Sequence, residues 1–398
     1  MRVTGPLVLN PLTNMQSNQN AGKIPFANIL RGIAVLSVLI AHYIGVFGSI
    51  KGAYGGFSEL PGRPYPAFLD VLFVIPDLNY GPLGVALFFL VSGFVIPFSV
   101  TSLYGQKGWR LSFFLARFLR LWPTYFVGLM ITLLSLHIAA YITKTELVTT
   151  PKMIATQLSF FRDWTGSVQM DGIVWTLEIE AKFYLLACLF ASSIVFGRPY
   201  LFGLIILLTF IGDHYKVSFP NSWNPPSNFL FAAKYLTYML IGTAFNLHFR
   251  RVISVWKTTM MVVVLYGTFA LCSDRESIIN YLIAFVLFSA CYYGKDRING
   301  NRFLDFFADI SYPLYVLHAA FGYIGLRLMM GSGIPSLVAL ALQTATTVGI
   351  AFVVHCYVEA PTHRLGRNLS KKLLGLSRTE SPMRLGFIKK QEPNIQKN

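Results

Sequence analysis

Residues 27–49 read ANILRGIAVLSVLIAHYIGVFGS. The stretch is long enough to cross a bilayer as one helix, because about 20 apolar residues suffice. Two polar side chains interrupt it, Arg31 and His42, which are eleven residues apart. At about 100° and 1.5 Å per residue, that interval returns to nearly the same helix face roughly 16 Å further along. The stretch therefore predicts a membrane helix that presents a cation and a titratable ring on one face.

Long apolar stretches of this kind recur along the whole chain. The 398 residues are 54% hydrophobic and 13% charged, whereas soluble domains are about 25% charged. We predict an all-α membrane protein, a polytopic bundle of ten transmembrane helices at 27–49, 80–100, 121–141, 172–196, 199–212, 228–248, 258–273, 277–293, 305–328 and 334–358. The predicted domains are an N-terminal segment (1–26), the ten-helix domain (27–365) and a basic tail (366–398).

The basic residues are unevenly distributed among the predicted loops. Ten spans place both termini on one side, and most of the lysines and arginines fall on that side. The positive-inside rule then places both termini in the cytoplasm. The net charge of +16 is thus explained by orientation and lipid contact, without nucleic acid as a partner. Residues 1–24 lack the apolar core of a signal peptide, so we expect the first span to be retained. The four cysteines form no CxxC pair and are interpreted as apolar packing residues.

Charged groups inside apolar spans need either a route to water or a function. Arg31 lies near the cytoplasmic end of the first span, where it could instead reach lipid phosphates. His42 lies deeper, where a neutral, hydrogen-bonded histidine is the alternative to a functional one. In FFLARFLRLWPTY (113–125), Arg117 and Arg120 share a helix face. They could bind a diphosphate bidentately or only anchor the topology.

A third polar cluster lies in DGIVWTLEIEAKFYLL (171–186). Glu178 and Lys182 are four residues apart and can pair, which leaves Glu180 without a partner in its own helix. Glu180 and His42 are predicted at similar depth, so the carboxylate could orient the imidazole as a general base. A carboxylate satisfied by structural hydrogen bonds is the alternative.

Two further stretches carry polar residues, ADISYPLYVLHAA (308–320) and YVEAPTHRLGR (357–367). A seam spaced three residues apart runs along the ninth span: Tyr312, Tyr315 and His318. His318 could be a second acid or base, but packing is the favoured interpretation. Glu359 is expected to hold nearby arginines in place.

Taken in order, these stretches resemble the acyltransferase-3 family of integral membrane O-acyltransferases, over about residues 27–365. The matching motifs are Arg31-x10-His42, GPLGVALFFLVSGFVI (81–96), FLARFLRLWPTY (114–125), WTLEIEAKFY (175–184), ISYPLYVLH (310–318) and VEAP (358–361). Thr176 stands where the family usually has serine, and Ala360 where arginine is common before the proline. Many relatives also carry an extracytoplasmic esterase-like domain, which is not expected here.

The resemblance implies transfer of an acyl group, commonly acetyl, from acyl-CoA to a carbohydrate hydroxyl, as in lipopolysaccharide O-antigen or exopolysaccharide. It implies no bound cofactor, acyl-CoA as co-substrate, and a multi-pass location in a plasma membrane, as in the bacterial inner membrane. By motif position, the catalytic residues are His42 and Glu180, the acyl-CoA-binding residues are Arg31, Arg117 and Arg120, and the supporting residues are Trp175, Thr176, Tyr184, Ser311, Tyr312, His318 and Glu359.

Other classes of protein are less well supported by the sequence. It contains no G-x-S-x-G elbow, no Walker loop and no H-E-x-x-H motif, so a serine hydrolase, an ATP-driven pump and a zinc protease find no support, and no metal site is predicted. The main alternative is a transporter or a flippase for a lipid-linked sugar, because aligned intramembrane charges also mark substrate pathways. Inverted repeats would favour a transporter, and none is visible. A structural scaffold would leave Arg31, His42 and Glu180 unexplained.

Overall fold

The computed structural model describes residues 24–165, 167, 169–215 and 225–375, and the regular structure within these ranges is entirely helical. The helices are α1 (Pro25–Ser49, with a π-helical turn at Ala41–Val46), α2 (Tyr80–Leu103), α3 (Trp109–Thr143), α4 (Pro151–Leu158), α5 (Arg162–Thr165), α6 (Val174–Leu189), α7 (Ala191–Phe196), α8 (Tyr200–His214), α9 (Pro225–Phe249), α10 (Val255–Leu271), α11 (Arg275–Tyr293), α12 (Arg302–Asp309), α13 (Ser311–Leu317), α14 (Ala320–Gly331), α15 (Ser336–Val354) and α16 (Ala360–Leu373). A second π-helical turn, His355–Glu359, joins α15 to α16.

The all-α fold is confirmed, and helices occupy each of the ten predicted stretches. Within the described ranges, five helices are long and apolar enough to cross a membrane: α1, α2, α3, α11 and the continuous helix Ser336–Leu373. The bent pair α13–α14, which turns by 59°, adds a sixth if it counts as one span. The predicted fifth and seventh spans form α8 and α10, which are apolar but short. Ten membrane spans and cytoplasmic termini therefore stay predictions.

Two helices extend well beyond the predicted spans. Helix α3 begins at Trp109, well before the predicted start at 121, because Gly108 adopts a left-handed φ of 77° that ends the preceding turn. At the other end of the chain, α16 extends into the predicted basic tail and packs along α3, where the Ser112 and Ser370 hydroxyls hydrogen-bond at 2.6 Å. The segment 366–373 is therefore helix, whereas residues 376–398 of the predicted tail and residues 1–23 lie outside the described ranges.

Helix α2 lies at the centre of the bundle and packs against α1, α9 and α11. Its glycines allow backbones to approach closely, as small residues commonly do between membrane helices. A Cβ on Gly84 would lie 2.6 Å from the Ala34 carbonyl oxygen of α1, and one on Gly93 would overlap the Met239 carbonyl of α9. These contacts set the position of α1, which carries Arg31 and His42.

The chain between α3 and α6 is held to the bundle by two buried ion pairs. The Arg162 guanidinium donates to both carboxylate oxygens of Glu178, at 3.0 and 2.9 Å. Lys182 Nζ donates to Asp163 Oδ2 at 2.7 Å. All four side chains are buried. The predicted pairing of Glu178 with Lys182 is therefore wrong: a guanidinium from α5 offers the two parallel hydrogen bonds that an ammonium four residues away on the same helix cannot.

Candidate active site

His42 lies in the π-helical turn of α1, a distortion that often occurs at functional sites. Its Nδ1 is hydrogen-bonded to the hydroxyl of Tyr323 on α14. Its ring meets that of His318 edge to face, with centroids 4.5 Å apart. Tyr54, from the loop after α1, packs against Tyr323 with ring centroids 5.0 Å apart. Burial raises the pKa of Tyr54 to about 12, so its hydroxyl stays protonated and can donate a hydrogen bond. His42 is only partly buried.

Arg31 lies at the other end of the same face of α1. Its guanidinium donates to the Ser311 hydroxyl at 2.8 Å. Ser311 begins α13, and His318 directly follows it. Arg31 and His42 therefore both contact the short segment Ser311–His318, as expected for two side chains on one helix face. Arg31 points into the bundle, so it does not simply extend outward to lipid phosphates.

Arg117 and Arg120 on α3 and Arg31 on α1 all lie within electrostatic range of one residue, His363. Arg117 is buried, donates to the Ser99 hydroxyl, and lies against the ring of Tyr184 at 5.6 Å. Arg120 is half-buried and within electrostatic range of Arg31 and Arg117. Among the described side chains, no carboxylate lies within ion-pair distance of any of the three guanidiniums. We call Arg31, Arg117 and Arg120 the arginine cluster. It suits a polyanionic ligand, because each guanidinium has five N–H donors in a planar fork.

Glu180 lies with the arginine cluster. Its Oε1 accepts a hydrogen bond from the Tyr184 hydroxyl at 2.5 Å, and it is within electrostatic range of Arg31 and Arg117. The hydrogen bond and ring contacts of His42 go to Tyr323 and His318, and the structure does not bring Glu180 and His42 together. Glu180 can thus balance and orient the arginines, but it does not orient the His42 imidazole directly.

The other candidate residues support these two ends of the site. The Thr176 hydroxyl is hydrogen-bonded to the Tyr315 hydroxyl at 2.8 Å, which joins α6 to α13. The Tyr312 hydroxyl donates to the Leu121 carbonyl at 2.8 Å. Trp175 and Glu359 do not contact His42. The Trp175 ring packs against Phe89 and Tyr235. Glu359 pairs with His355 at 2.7 Å and lies within electrostatic range of Arg31.

Sequence reasoning missed two residues of α16, a histidine and an arginine, that lie near the arginine cluster. His363 lies within electrostatic range of Arg31, Arg117 and Arg120, and Arg367 lies one turn further along the helix. Gly366, between them, sits against α3, with its Cβ position 3.1 Å from Leu119. The signal was present in APTHRLGRNLSKKL (360–373), whose charged residues recur with helical spacing. The helix extends the arginine cluster toward the surface.

A cavity of about 370 Å³ opens beside Arg117. Half of the residues that line it are aromatic and come from α3, α6 and the chain after α4: Phe114, Phe118, Trp122, Phe160, Phe161 and Tyr184. Phe118 is half exposed on the surface of the bundle. An aromatic-lined cavity at the side of the bundle therefore adjoins the arginine cluster at Arg117.

Comparison with known proteins identifies the family. The family model described as "Acyltransferase domain" matches residues 24–356. This chain belongs to the acyltransferase-3 family. A similar protein is Nodulation protein 10 of Rhizobium leguminosarum bv. viciae, which is 30% identical over 124 residues, or 27% of this chain. The match spans 33% of that relative's length. The acyltransferase-3 family is membrane-embedded, in agreement with the apolar helices, and its matched range ends before α16.

Proposed function

We propose that this protein is a membrane-embedded O-acyltransferase that moves an acyl group, most simply acetyl, from acyl-CoA to a hydroxyl of a cell-surface or lipid-linked carbohydrate. The donor binds from the cytoplasm and the acceptor from the opposite side of a plasma membrane, in a bacterium the inner membrane. Family membership supports the acyl-transfer class. The donor, the acceptor and the sidedness are the proposal.

The observation that carries the proposal is the arrangement along one face of α1. The arginine cluster at one end has no direct carboxylate ion pair among the described residues, and it suits the phosphates of acyl-CoA. His42 at the other end is titratable and only partly buried. About 16 Å of helix separates Arg31 from His42, because each residue rises about 1.5 Å. A long, thin donor can span that interval and present its thioester at His42.

The transfer needs one proton to move. The neutral His42 imidazole accepts the proton of the acceptor hydroxyl as the hydroxyl oxygen forms a bond to the acyl carbon. The carbon–sulfur bond breaks, and the proton passes from His42 to the sulfur of CoA. Acylated carbohydrate and CoA thiol are the products. General-base assistance of this kind contributes about 10²–10⁴-fold to a rate.

The direct test is release of free CoA by the purified protein in nanodiscs. We expect release only when acetyl-CoA and a polysaccharide acceptor are both present. His42→Ala should lower the rate by about 10²–10⁴-fold, at unchanged expression and membrane insertion. His137→Ala is the matched control, because among the described residues His137 hydrogen-bonds only the Leu133 carbonyl of its own helix. A transporter or flippase would release no CoA, and retention of more than about a tenth of the rate by His42→Ala would contradict its role as the base.

The acceptor can be identified in cells. Mass spectrometry of surface glycans from strains with and without the gene should show one acyl group, of 42 Da per site if it is acetyl, lost from a defined sugar. Identical glycans in the two strains would show that a surface carbohydrate is not the acceptor. The CoA-release assay would then still test whether the protein transfers acyl groups.

A further inference from the structure

His318 has one ring nitrogen whose role is fixed and one that has no partner. Its Nδ1 lies 2.6 Å from the Tyr315 carbonyl oxygen. A carbonyl can only accept, so Nδ1 carries the hydrogen, and in the neutral ring Nε2 holds a lone pair. Only 1% of His318 is exposed, and within the described ranges Nε2 has no hydrogen-bond partner. A buried polar atom of this kind is uncommon and calls for an explanation.

The neighbour of this ring is His42, at a centroid distance of 4.5 Å. The titratable groups around the pair are tyrosines: Tyr315 three residues before His318, Tyr323 on α14, and Tyr54 from the loop after α1. Two carboxyls act electrostatically on these tyrosines: Asp171 on Tyr54 and Tyr315, and Glu180 on Tyr315. Glu180 lies with the arginine cluster. No carboxylate among the described residues contacts His42 to offset the charge that His42 gains in the transfer.

We propose that His318 is a positioning residue for acyl transfer, whose Nε2 lone pair stabilises the imidazolium that His42 becomes when it takes the acceptor's proton. This inference rests on the proposed function. His318 itself gains and loses no proton: the proton travels from the acceptor hydroxyl to His42 and on to the CoA sulfur. Since His318 is buried and His42 is partly exposed, we assign contact with the substrate to His42, through which His318 acts. Two protonated rings at this distance would repel each other, so the pair holds a single extra proton.

The variant His318→Asn separates the two nitrogens of the ring. An asparagine amide can still donate to the Tyr315 carbonyl, but it carries nothing at the position of Nε2. We expect kcat to fall roughly 10- to 100-fold, the range for losing a hydrogen-bonding partner of a charged group. The KM for acetyl-CoA should stay unchanged, because the arginine cluster is intact. The acidic limb of the kcat–pH profile should move to lower pH, because the His42 imidazolium is then less stable. His318→Gln places an acceptor oxygen near Nε2 and should recover part of the rate.

The control is His137→Asn, since His137 also hydrogen-bonds a carbonyl of its own helix, at 2.7 Å, but does not contact His42. It should leave kcat and the pH profile unchanged. The proposal would be overturned if His318→Asn kept the wild-type kcat and pH profile. It would also be overturned if His318→Asn lost kcat without a shift of the pH profile and His318→Gln recovered none of the rate. If His318→Asn fails to fold, the pH profile of His318→Gln decides in the same way. Wild-type protein that releases no CoA would instead refute the proposed function.

Discussion

Two glutamates that lie two residues apart on α6 should respond oppositely to the same substitution. Glu178→Gln removes the charge that pairs with Arg162, whose side chain is 1% exposed, while Glu178 itself is 2% exposed. Glu180→Gln removes a charge from a partly exposed side chain whose oxygen can still accept from Tyr184. We expect Glu178→Gln to destabilise the fold, and Glu180→Gln to reduce acyl transfer while the fold stays intact.

The magnitude for Glu178 follows from the geometry of the pair. Removing one partner of a buried ion pair costs about 3–5 kcal/mol, because the other charge is left uncompensated. Glutamine keeps one acceptor oxygen for Arg162, and the second buried pair, Lys182–Asp163, lies beside it. We therefore expect the lower end, about 3 kcal/mol. For Glu180→Gln we expect a smaller loss of stability than for Glu178→Gln, because Glu180 is partly exposed and glutamine can still accept the hydrogen bond from Tyr184.

The assay is thermal unfolding in detergent, run beside CoA release on the same preparations. Asp70→Asn is the control, because its ion pair with Arg63 is 62% exposed on both sides and should contribute at most about 1 kcal/mol. Replacing Arg162 and Glu178 together by apolar residues of similar size should restore much of the loss. The reasoning would be refuted by wild-type unfolding of Glu178→Gln, or by full activity of Glu180→Gln.

Two further predictions concern the arginine cluster and the packing of α2. Arg→Lys at Arg31, Arg117 or Arg120 keeps the charge but loses the planar fork, so the KM for acyl-CoA should rise about tenfold, or near 1.4 kcal/mol, at the position that binds phosphate bidentately. The KM for the acceptor should stay unchanged, and acyl-CoA titration in nanodiscs measures both effects. Wild-type donor affinity in all three variants would mean that these arginines only anchor the topology. Gly93→Ala should destabilise the fold by at least about 1–3 kcal/mol, because its Cβ would overlap the Met239 carbonyl. The control in thermal unfolding is Gly203→Ala, whose Cβ would meet nothing within 4 Å. Equal melting temperatures of the two variants would contradict the close contact of α2 and α9.

The all-α fold, the apolar stretches that form helices and the alignment of Arg31 with His42 could be predicted from the sequence. Each depends on the period of a single helix, and that period is a local property. The same holds for Arg117 and Arg120, which share one face of α3. The ordered motifs identified the family, and the match over residues 24–356 confirms it.

The partners of the charged residues were decided only by the tertiary structure. Helical spacing predicted a pair of Glu178 with Lys182, whereas the folded chain brings Arg162 and Asp163 into the bundle to pair with them. Helical spacing also cannot set the rotation of one helix against another, so Glu180 was expected beside His42 and lies beside the arginines. The 59° bend between α13 and α14 places both His318 and Tyr323 around His42. Bends and rotations of this kind come from packing between segments far apart in the chain, such as the glycine contacts of α2, and no local pattern encodes them.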